Sequence, residues 1–150
     1  MKTLEELLLR PPPKKKQRAK KTKQKTKKYS TSFLEKGLAL RREQQYRDAI
    51  LHIEEFLRQK RISREHKAQA HQELASCYLK MNNYARALLE ADIAYEYNNR
   101  NIELFLVATD AAVEMEKYTT AKDYINAAIS QEPHDAYLHH YKAIILANKG

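Results

Sequence analysis

The chain has 150 residues, of which 43% are hydrophobic and 31% are charged, and this predicts a single domain with a core of its own. Two glycines and four prolines are too few for the tight turns of a β-sandwich or barrel, and a single cysteine excludes an internal disulfide. No apolar run reaches the roughly 18 residues that a membrane span needs, so no span is expected.

The net charge of +9 is concentrated near the amino terminus. Residues 1–28 carry twelve lysines and arginines against two glutamates, whereas residues 29–150 carry sixteen basic and seventeen acidic residues. The sequence therefore predicts a nearly neutral domain, residues 29–150, that carries a strongly cationic tail, residues 1–28.

This tail is predicted to be disordered, because it has few apolar side chains whose burial could offset the entropy of ordering. Four uses fit its composition: binding the phosphates of RNA, DNA or a ribosome, nuclear import, contact with an acidic protein or membrane surface, or solubility alone. The candidate polyanion-binding residues are Lys14, Lys15, Lys16, Arg18, Lys20, Lys21, Lys23, Lys25, Lys27 and Lys28.

Beyond residue 30 the sequence repeats itself three times, in what we call copies one, two and three. Each copy has a small residue, then a tyrosine nine residues later, an alanine three residues after that, and an apolar or small residue seven further on. In chain order these are Gly37, Tyr46, Ala49 and Phe56; Ala75, Tyr84, Ala87 and Ala94; and Thr109, Tyr118, Ala121 and Ala128. Two antiparallel helices can cross closely only where such small residues meet, so each copy predicts a helix pair.

The pattern resembles the tetratricopeptide repeat, a helix–turn–helix unit of about 34 residues. The resemblance implies an all-α fold, a right-handed solenoid of antiparallel helix pairs with a C-terminal capping helix. The repeats would span about 30–63, 68–101 and 102–135, and the final helix 136–148. Four extra residues between copies one and two, in the region of Gln59 to Ser63, predict a longer connection.

Helix starts are predicted from capping residues. Ser32 with Glu35 predicts a capping box for the first helix, and Ser63, Asn101 and Asp135 stand where later first helices should begin. In copy two, Ala87 is expected at the helix crossing and Glu90 at the surface, where Glu90→Gln should be nearly silent.

The resemblance also implies a groove lined by the first helix of each pair, in which a segment of a partner protein binds. By alignment to the repeat, the groove residues are Leu34, Leu38, Arg41, Arg42, Gln69, Gln72, Ser76, Lys80, Glu103, Leu106, Asp110, Tyr137, Tyr141 and Ile144, with Glu73, Leu79, Val107, Val113 and His140 beside them.

One subtype of the family grips the acidic C-terminal tails of heat-shock chaperones with five cationic or amide side chains. The matching positions here hold Leu34, Leu38, Glu73, Glu103 and Val107, none of which carries such a group. This subtype is therefore not expected.

No catalytic constellation is present in the sequence. Cys77 is expected to be a small buried packing residue, and no two of the six histidines have the spacing that places both rings on one helix face. We therefore expect no enzymatic activity, no cofactor and no metal site.

The last helix is predicted to pack inward through Leu138, Lys142 and Ile145, with Leu146 beside them. Its second stripe, which includes Tyr137, Tyr141 and Ile144, makes the helix apolar over too wide an arc for a solvated end. An external contact is expected there, with a ligand in the groove or with a second copy meeting end to end.

The sequence thus predicts a non-enzymatic adaptor or scaffold that binds a protein segment in its groove and is tethered to an anionic partner by its tail. The alternative is an RNA- or ribosome-associated factor that binds mainly through the lysine-rich tail. An intracellular location is expected: the cytoplasm is favoured, and the tail makes the nucleus the alternative.

Overall fold

The computed structural model of the protein describes residues 29–149, and in this range it is all-α, as predicted. The seven helices of the described range are α1 (Ser32–Arg42), α2 (Tyr46–Leu57), α3 (Arg64–Lys80), α4 (Tyr84–Tyr97), α5 (Ile102–Glu114), α6 (Tyr118–Gln131) and α7 (Ala136–Lys149). Each helix packs on the next one along the chain, and α3 also contacts both α1 and α5. This is the contact pattern of stacked helix pairs.

The close crossing within each pair is confirmed at all three copies. The small residues on the three first helices and the alanines on the three second helices are all buried. They are Gly37, Ala75 and Thr109, and Ala49, Ala87 and Ala121. The contact is tightest at Gly37, where an added Cβ would lie 2.6 Å from Cγ1 of Ile53 and 3.2 Å from the carbonyl oxygen of Ala49. Only a residue without a side chain fits at that point of α1.

The turn within each pair has the same backbone conformation in every copy. Gln44, Asn82 and Glu116 each stand two residues before the tyrosine of the repeat, and their φ values are 62°, 60° and 58°. The backbone N–H of the next residue donates to a carbonyl five residues earlier, at 2.9, 2.9 and 2.8 Å. These bonds close the Schellman motif, which ends the first helix and reverses the chain.

Three of the predicted helix starts are confirmed. The side chains of Ser63, Asn101 and Asp135 each accept a hydrogen bond from a backbone N–H in the first turn of α3, α5 and α7, at 3.2, 3.3 and 2.9 Å. Asn83 caps α4 in the same way at 3.3 Å.

The predicted capping box of the first helix is wrong. Ser32 already lies inside α1, and Thr31 occupies the N-cap position without a capping hydrogen bond from its side chain. Its hydroxyl instead donates to the carboxylate of Glu35 at 3.1 Å. The Thr31 hydroxyl therefore contacts the Glu35 side chain but caps no backbone N–H of α1.

The four extra residues of copy two lengthen α3, and the predicted longer connection is also present, because 58–63 joins α2 to α3 whereas the later connections are only 98–101 and 132–135. In each copy we compared the segment that starts at the tyrosine of the second helix and ends just before the next first helix. These segments are 46–63, 84–101 and 118–135, and they have equal length. By contrast, α3 has 17 residues and α5 has 13. The insertion therefore adds one turn to the amino-terminal end of α3, because a helical turn holds about four residues.

Glu90 is buried, so its predicted place at the surface is wrong. It is 3% exposed and accepts hydrogen bonds from Nδ1 of His71 at 2.6 Å and from Nε of Arg86 at 3.1 Å. Burial alone would raise the pKa of this carboxyl, but the bonds from His71 and Arg86 outweigh burial and lower it. Glu90 is thus an anchor between α3 and α4.

We predict that Ala87→Leu destabilises the protein by about 1–3 kcal/mol, because Ala87 is fully buried at the crossing of α3 and α4 and a larger side chain overpacks it. Ala85→Leu is the matched control, since Ala85 lies on the same helix and is exposed. Urea melts measure both variants. Equal stability of the two would contradict the position of the crossing.

We predict that Glu90→Gln destabilises the protein by about 1–3 kcal/mol at pH 7, because it weakens two charge-assisted bonds in a buried place. Since the pKa of Glu90 is lower in the folded state than its ordinary value of 4.5, its contribution is full above pH 4.5 and is lost as the pH falls through the folded-state pKa.

Urea melts at pH 7 and at acid pH, compared between the parent and Glu90→Gln, test this dependence. Glu96→Gln on the exposed side of α4 is the control. A stability difference that stays constant down to the lowest pH would show that ionisation of Glu90 is not what stabilises the protein.

Candidate protein-binding site

The first helices α1, α3, α5 and α7 form one face of the structure, which we call the first-helix groove. Three polar contacts join successive first helices along it: Arg41 pairs with Glu73, the amide of Asn101 donates to Gln72, and the hydroxyl of Tyr141 donates to Asp110. The groove is therefore a continuous surface made by all copies rather than three separate ones.

The predicted groove residues differ in how much surface they offer. The exposed ones are Arg42, Gln69, Lys80, Glu103, Tyr137 and Ile144. The half-buried ones are Leu38, Arg41, Leu106, Asp110 and Tyr141. The buried ones are Leu34, Gln72 and Ser76.

Leu34 does not line the groove. It is 2% exposed and belongs to the core, so it offers no surface to a ligand and its predicted place in the groove is wrong. Gln72 and Ser76 are also buried, and Gln72 accepts the hydrogen bond from Asn101. These two residues support the groove from below.

A cavity of about 320 Å³ lies in the carboxyl-terminal half of the groove. Five of the predicted residues come together in its wall, namely Leu79, Lys80, Asp110, Val113 and Tyr141. The full lining is Leu79, Lys80, Asn82, Tyr84, Asp110, Val113, Glu114 and Tyr141. Apolar, cationic and anionic groups from α3, α5 and α7 thus meet around one space.

The sequence analysis missed three of these residues. Glu114 follows Asp110 by four positions on α5, and that spacing places both on one helix face, so it could have been found. Asn82 and Tyr84 belong to the turn and to the start of α4, where the alignment of first helices has no information.

Burial dominates the electrostatics of this cavity. It raises the pKa of Asp110, and Glu114 adds to the rise, while the hydrogen bond from Tyr141 and the charge of Lys80 oppose it. Burial and the bond to Asp110 raise the pKa of Tyr141, which keeps its hydroxyl proton. The pair is therefore a fixed donor–acceptor contact at one end of the cavity.

Glu73 has a similar environment further along the groove. Burial raises its pKa, Arg41 lowers it, and Glu103 raises it again. Arg41 is thus committed to Glu73, and the cation that remains exposed beside it is Arg42. The groove carries acidic groups over most of its length.

The last helix only partly follows its predicted pattern. Leu138 and Ile145 are buried against the third copy, as predicted. Leu146, which was expected beside them, is 44% exposed. Together with exposed Tyr137 and Ile144 it leaves α7 with a broad apolar surface.

The thiol and the acidic and histidine groups offer little for chemistry. Cys77 is fully buried, as predicted, and burial together with the charge of Glu73 raises its pKa to about 11. Within residues 29–149 no group of three His, Cys, Asp or Glu side chains could hold a metal ion. No helix in that range is long and apolar enough to cross a membrane.

The ten candidate tail residues, from Lys14 to Lys28, lie outside the described residues.

Solved structures of similar fold include domains of the following three proteins. The chain matches the tetratricopeptide-repeat domain of OM64 from Arabidopsis with a TM-score of 0.68 and 18% identity, over 76% of this chain and 91% of that one. It matches the Hsp90 co-chaperone Cns1 from Saccharomyces cerevisiae with a TM-score of 0.72 and 18% identity, over 79% of this chain and 38% of that one.

The third match is the C-terminal domain, containing tetratricopeptide repeats, of an FK506-binding protein from Plasmodium falciparum. Its TM-score is 0.69 at 16% identity, over 78% of this chain and 85% of that one. The protein has the tetratricopeptide-repeat fold. At these identities the match concerns the fold alone, and it confirms the tetratricopeptide-repeat resemblance at that level. No family model and no curated protein sequence matches the chain.

Proposed function

We propose that this tetratricopeptide-repeat protein is a non-enzymatic adaptor that binds a segment of a partner protein in its first-helix groove. The observation that supports this most directly is the cavity of about 320 Å³ between α3, α5 and α7. Its wall combines apolar Leu79 and Val113 with charged Lys80 and Glu114. A peptide can bury apolar side chains there and be oriented by the charges.

The position of the cavity fits a bound segment rather than a small molecule. Residues of three successive first helices line it, and Leu106 of α5 and Leu38 of α1 are further half-buried apolar residues at predicted groove positions. The exposed charges along the way, Arg42 at one end and Glu103 further on, would fix the direction of the segment. The tail would add affinity for an anionic partner, and an intracellular location is part of this proposal.

The groove can be tested without knowing the partner. Peptides are selected from a random display library on the full chain, and their dissociation constants are measured with the parent and two variants. Glu114→Lys reverses an exposed charge in the cavity wall and is expected to weaken binding about tenfold, equivalent to about 1.4 kcal/mol. Glu96→Lys makes the same charge change on exposed α4 and should leave binding within about twofold.

Equal effects of the two substitutions would contradict binding in the groove. Circular dichroism melts of both variants separate loss of binding from loss of fold. Both glutamates are exposed, so neither variant is expected to unfold.

The charge distribution favours a second function, binding to RNA or a ribosome through the tail. Ten of the fifteen residues from 14 to 28 are lysine or arginine, whereas the repeat domain is almost neutral. Contacts of this kind release counterions and are indifferent to base sequence. The two functions are compatible, because they use different parts of the chain.

We predict that the tail alone supplies salt-sensitive binding to polyanions. If about five phosphates are contacted, log affinity for RNA should fall with log salt with a slope of about −4. The full chain, a peptide of residues 1–28 and a chain of residues 29–150 are compared on RNA and on heparin. Equal retention of the chain that lacks the tail would overturn this prediction.

We also propose self-association through α7. Its support is the exposed apolar surface made by Tyr137, Ile144 and Leu146. The same surface borders Tyr141, which lines the cavity, so a ligand in the groove could cover part of it instead.

A further inference from the structure

A second cavity of about 320 Å³ lies between the second helices α4 and α6, away from the first-helix groove. Its lining is Asp92 and Tyr95 of α4 with Thr120, Asp123, Tyr124 and Ala127 of α6. We call it the second-helix cavity. None of the residues of the proposed groove belongs to it, so its function can be considered independently.

Two tyrosine rings form a rigid corner in this cavity. The rings of Tyr95 and Tyr124 are 6.1 Å apart and nearly perpendicular, at 89°. Both contact the buried ring of Phe105, at 5.9 and 6.3 Å, and the hydroxyl of Tyr124 donates to Asp92. Packing on one side and a hydrogen bond on the other therefore hold the corner in place, while Tyr95 remains 40% exposed.

The cavity has two carboxylates and no cation of its own. Asp92 accepts the hydroxyl of Tyr124, and the carboxylate of Asp123 has neither a hydrogen bond nor an ion pair with any described residue. Its lining residues include no lysine, arginine or histidine. The negative charge of the cavity is therefore not balanced by any cation in its lining.

Two other tyrosines of the protein have cationic side chains over their rings. Arg64 and Lys67 lie over the ring of Tyr97, each at 5.5 Å, and Arg86 lies over Tyr78 at 5.3 Å. Within residues 29–149 no cation covers Tyr95 or Tyr124 in this way. The exposed ring of Tyr95 thus lies beside the carboxylate of Asp123, which has no partner among the described residues.

We propose that the second-helix cavity binds a cationic side chain, arginine or lysine, of a partner protein. The cation would lie against the exposed ring of Tyr95, because aromatic faces attract positive charge, and would donate to Asp123 and to the oxygen of Asp92 that Tyr124 does not use. The hydroxyl of Thr120 is a further acceptor in the wall. Leu89 is exposed on α4, one turn before Asp92, and offers apolar surface to a neighbouring residue of the partner.

The proposal can be tested on the full chain labelled with ¹⁵N. The probes are pentapeptides with blocked ends, Gly-Ser-Xaa-Ser-Gly, in which Xaa is arginine, lysine or citrulline. Citrulline has nearly the shape of arginine but no charge. The arginine and lysine peptides are expected to shift the amide signals of the cavity residues, with an affinity at least about tenfold higher than that of the citrulline peptide.

Two substitutions locate the site. Asp123→Asn removes a charge that has no partner in the described chain, so the fold should be retained, and Tyr95→Leu keeps an apolar side chain but removes a ring face. Each is expected to weaken binding of the arginine peptide about three- to tenfold. Glu114→Gln, in the first-helix groove, is the matched control and should leave this binding unchanged.

Three results would overturn the proposal. Equal shifts with the citrulline peptide would mean that charge is not recognised, and unchanged binding by Asp123→Asn would mean that the cavity is only a solvated cleft. Shifts confined to Asp110, Glu114 and their neighbours, lost in Glu114→Gln, would place the cation in the groove instead. None of these results depends on whether the groove binds a protein segment.

Discussion

The close crossing of two helices within each pair is the constraint on which the structure depends. Gly37, Ala49 and their counterparts in the other copies have side chains so small that the two backbones can approach, and an added Cβ at Gly37 would overlap Ile53. This approach brings the second helix over the first, and the large side chains around the crossing then fill the core. Packing at this density leaves little room for changes of volume.

The stacking of pairs follows from the same constraint, because a single pair cannot bury both of its apolar sides. At the joints between copies the protein uses polar groups as well as apolar ones. Arg41 with Glu73, and Tyr141 with Asp110, connect first helices and at the same time form part of the groove surface. The groove is therefore preorganised by contacts that also hold the solenoid together, which limits the rearrangement that binding would require.

The two sides of the solenoid differ in chemistry. The cavity of the groove is lined by apolar side chains and by charges of both signs, and such a surface suits a segment of mixed composition. The second-helix cavity offers tyrosine faces and carboxylates, which suit a single cation. The adaptor that we propose would therefore have two binding surfaces of different chemistry.

The sequence by itself determined the repeat. Its small residues, tyrosines and alanines recur at fixed spacing, and this periodicity sets the helix pairs, the crossing positions and most helix starts, because these depend on local sterics and capping. Alignment to the tetratricopeptide repeat, which this periodicity resembles, also predicted Lys80, Asp110 and Tyr141 as groove residues, and these three line one cavity.

Only the tertiary structure decided what depends on neighbours distant in the chain. The insertion in copy two adds a turn to α3, which the mixed composition of that region did not indicate. Glu90 appeared to be a surface residue, yet His71, 19 positions earlier, meets it in the interior. The second-helix cavity is built from residues of two helices about 30 positions apart, and no spacing within either helix indicates that Tyr95 and Tyr124 meet at a right angle. Such contacts form when one repeat packs on the next, and the residue pattern within a single repeat does not predict them.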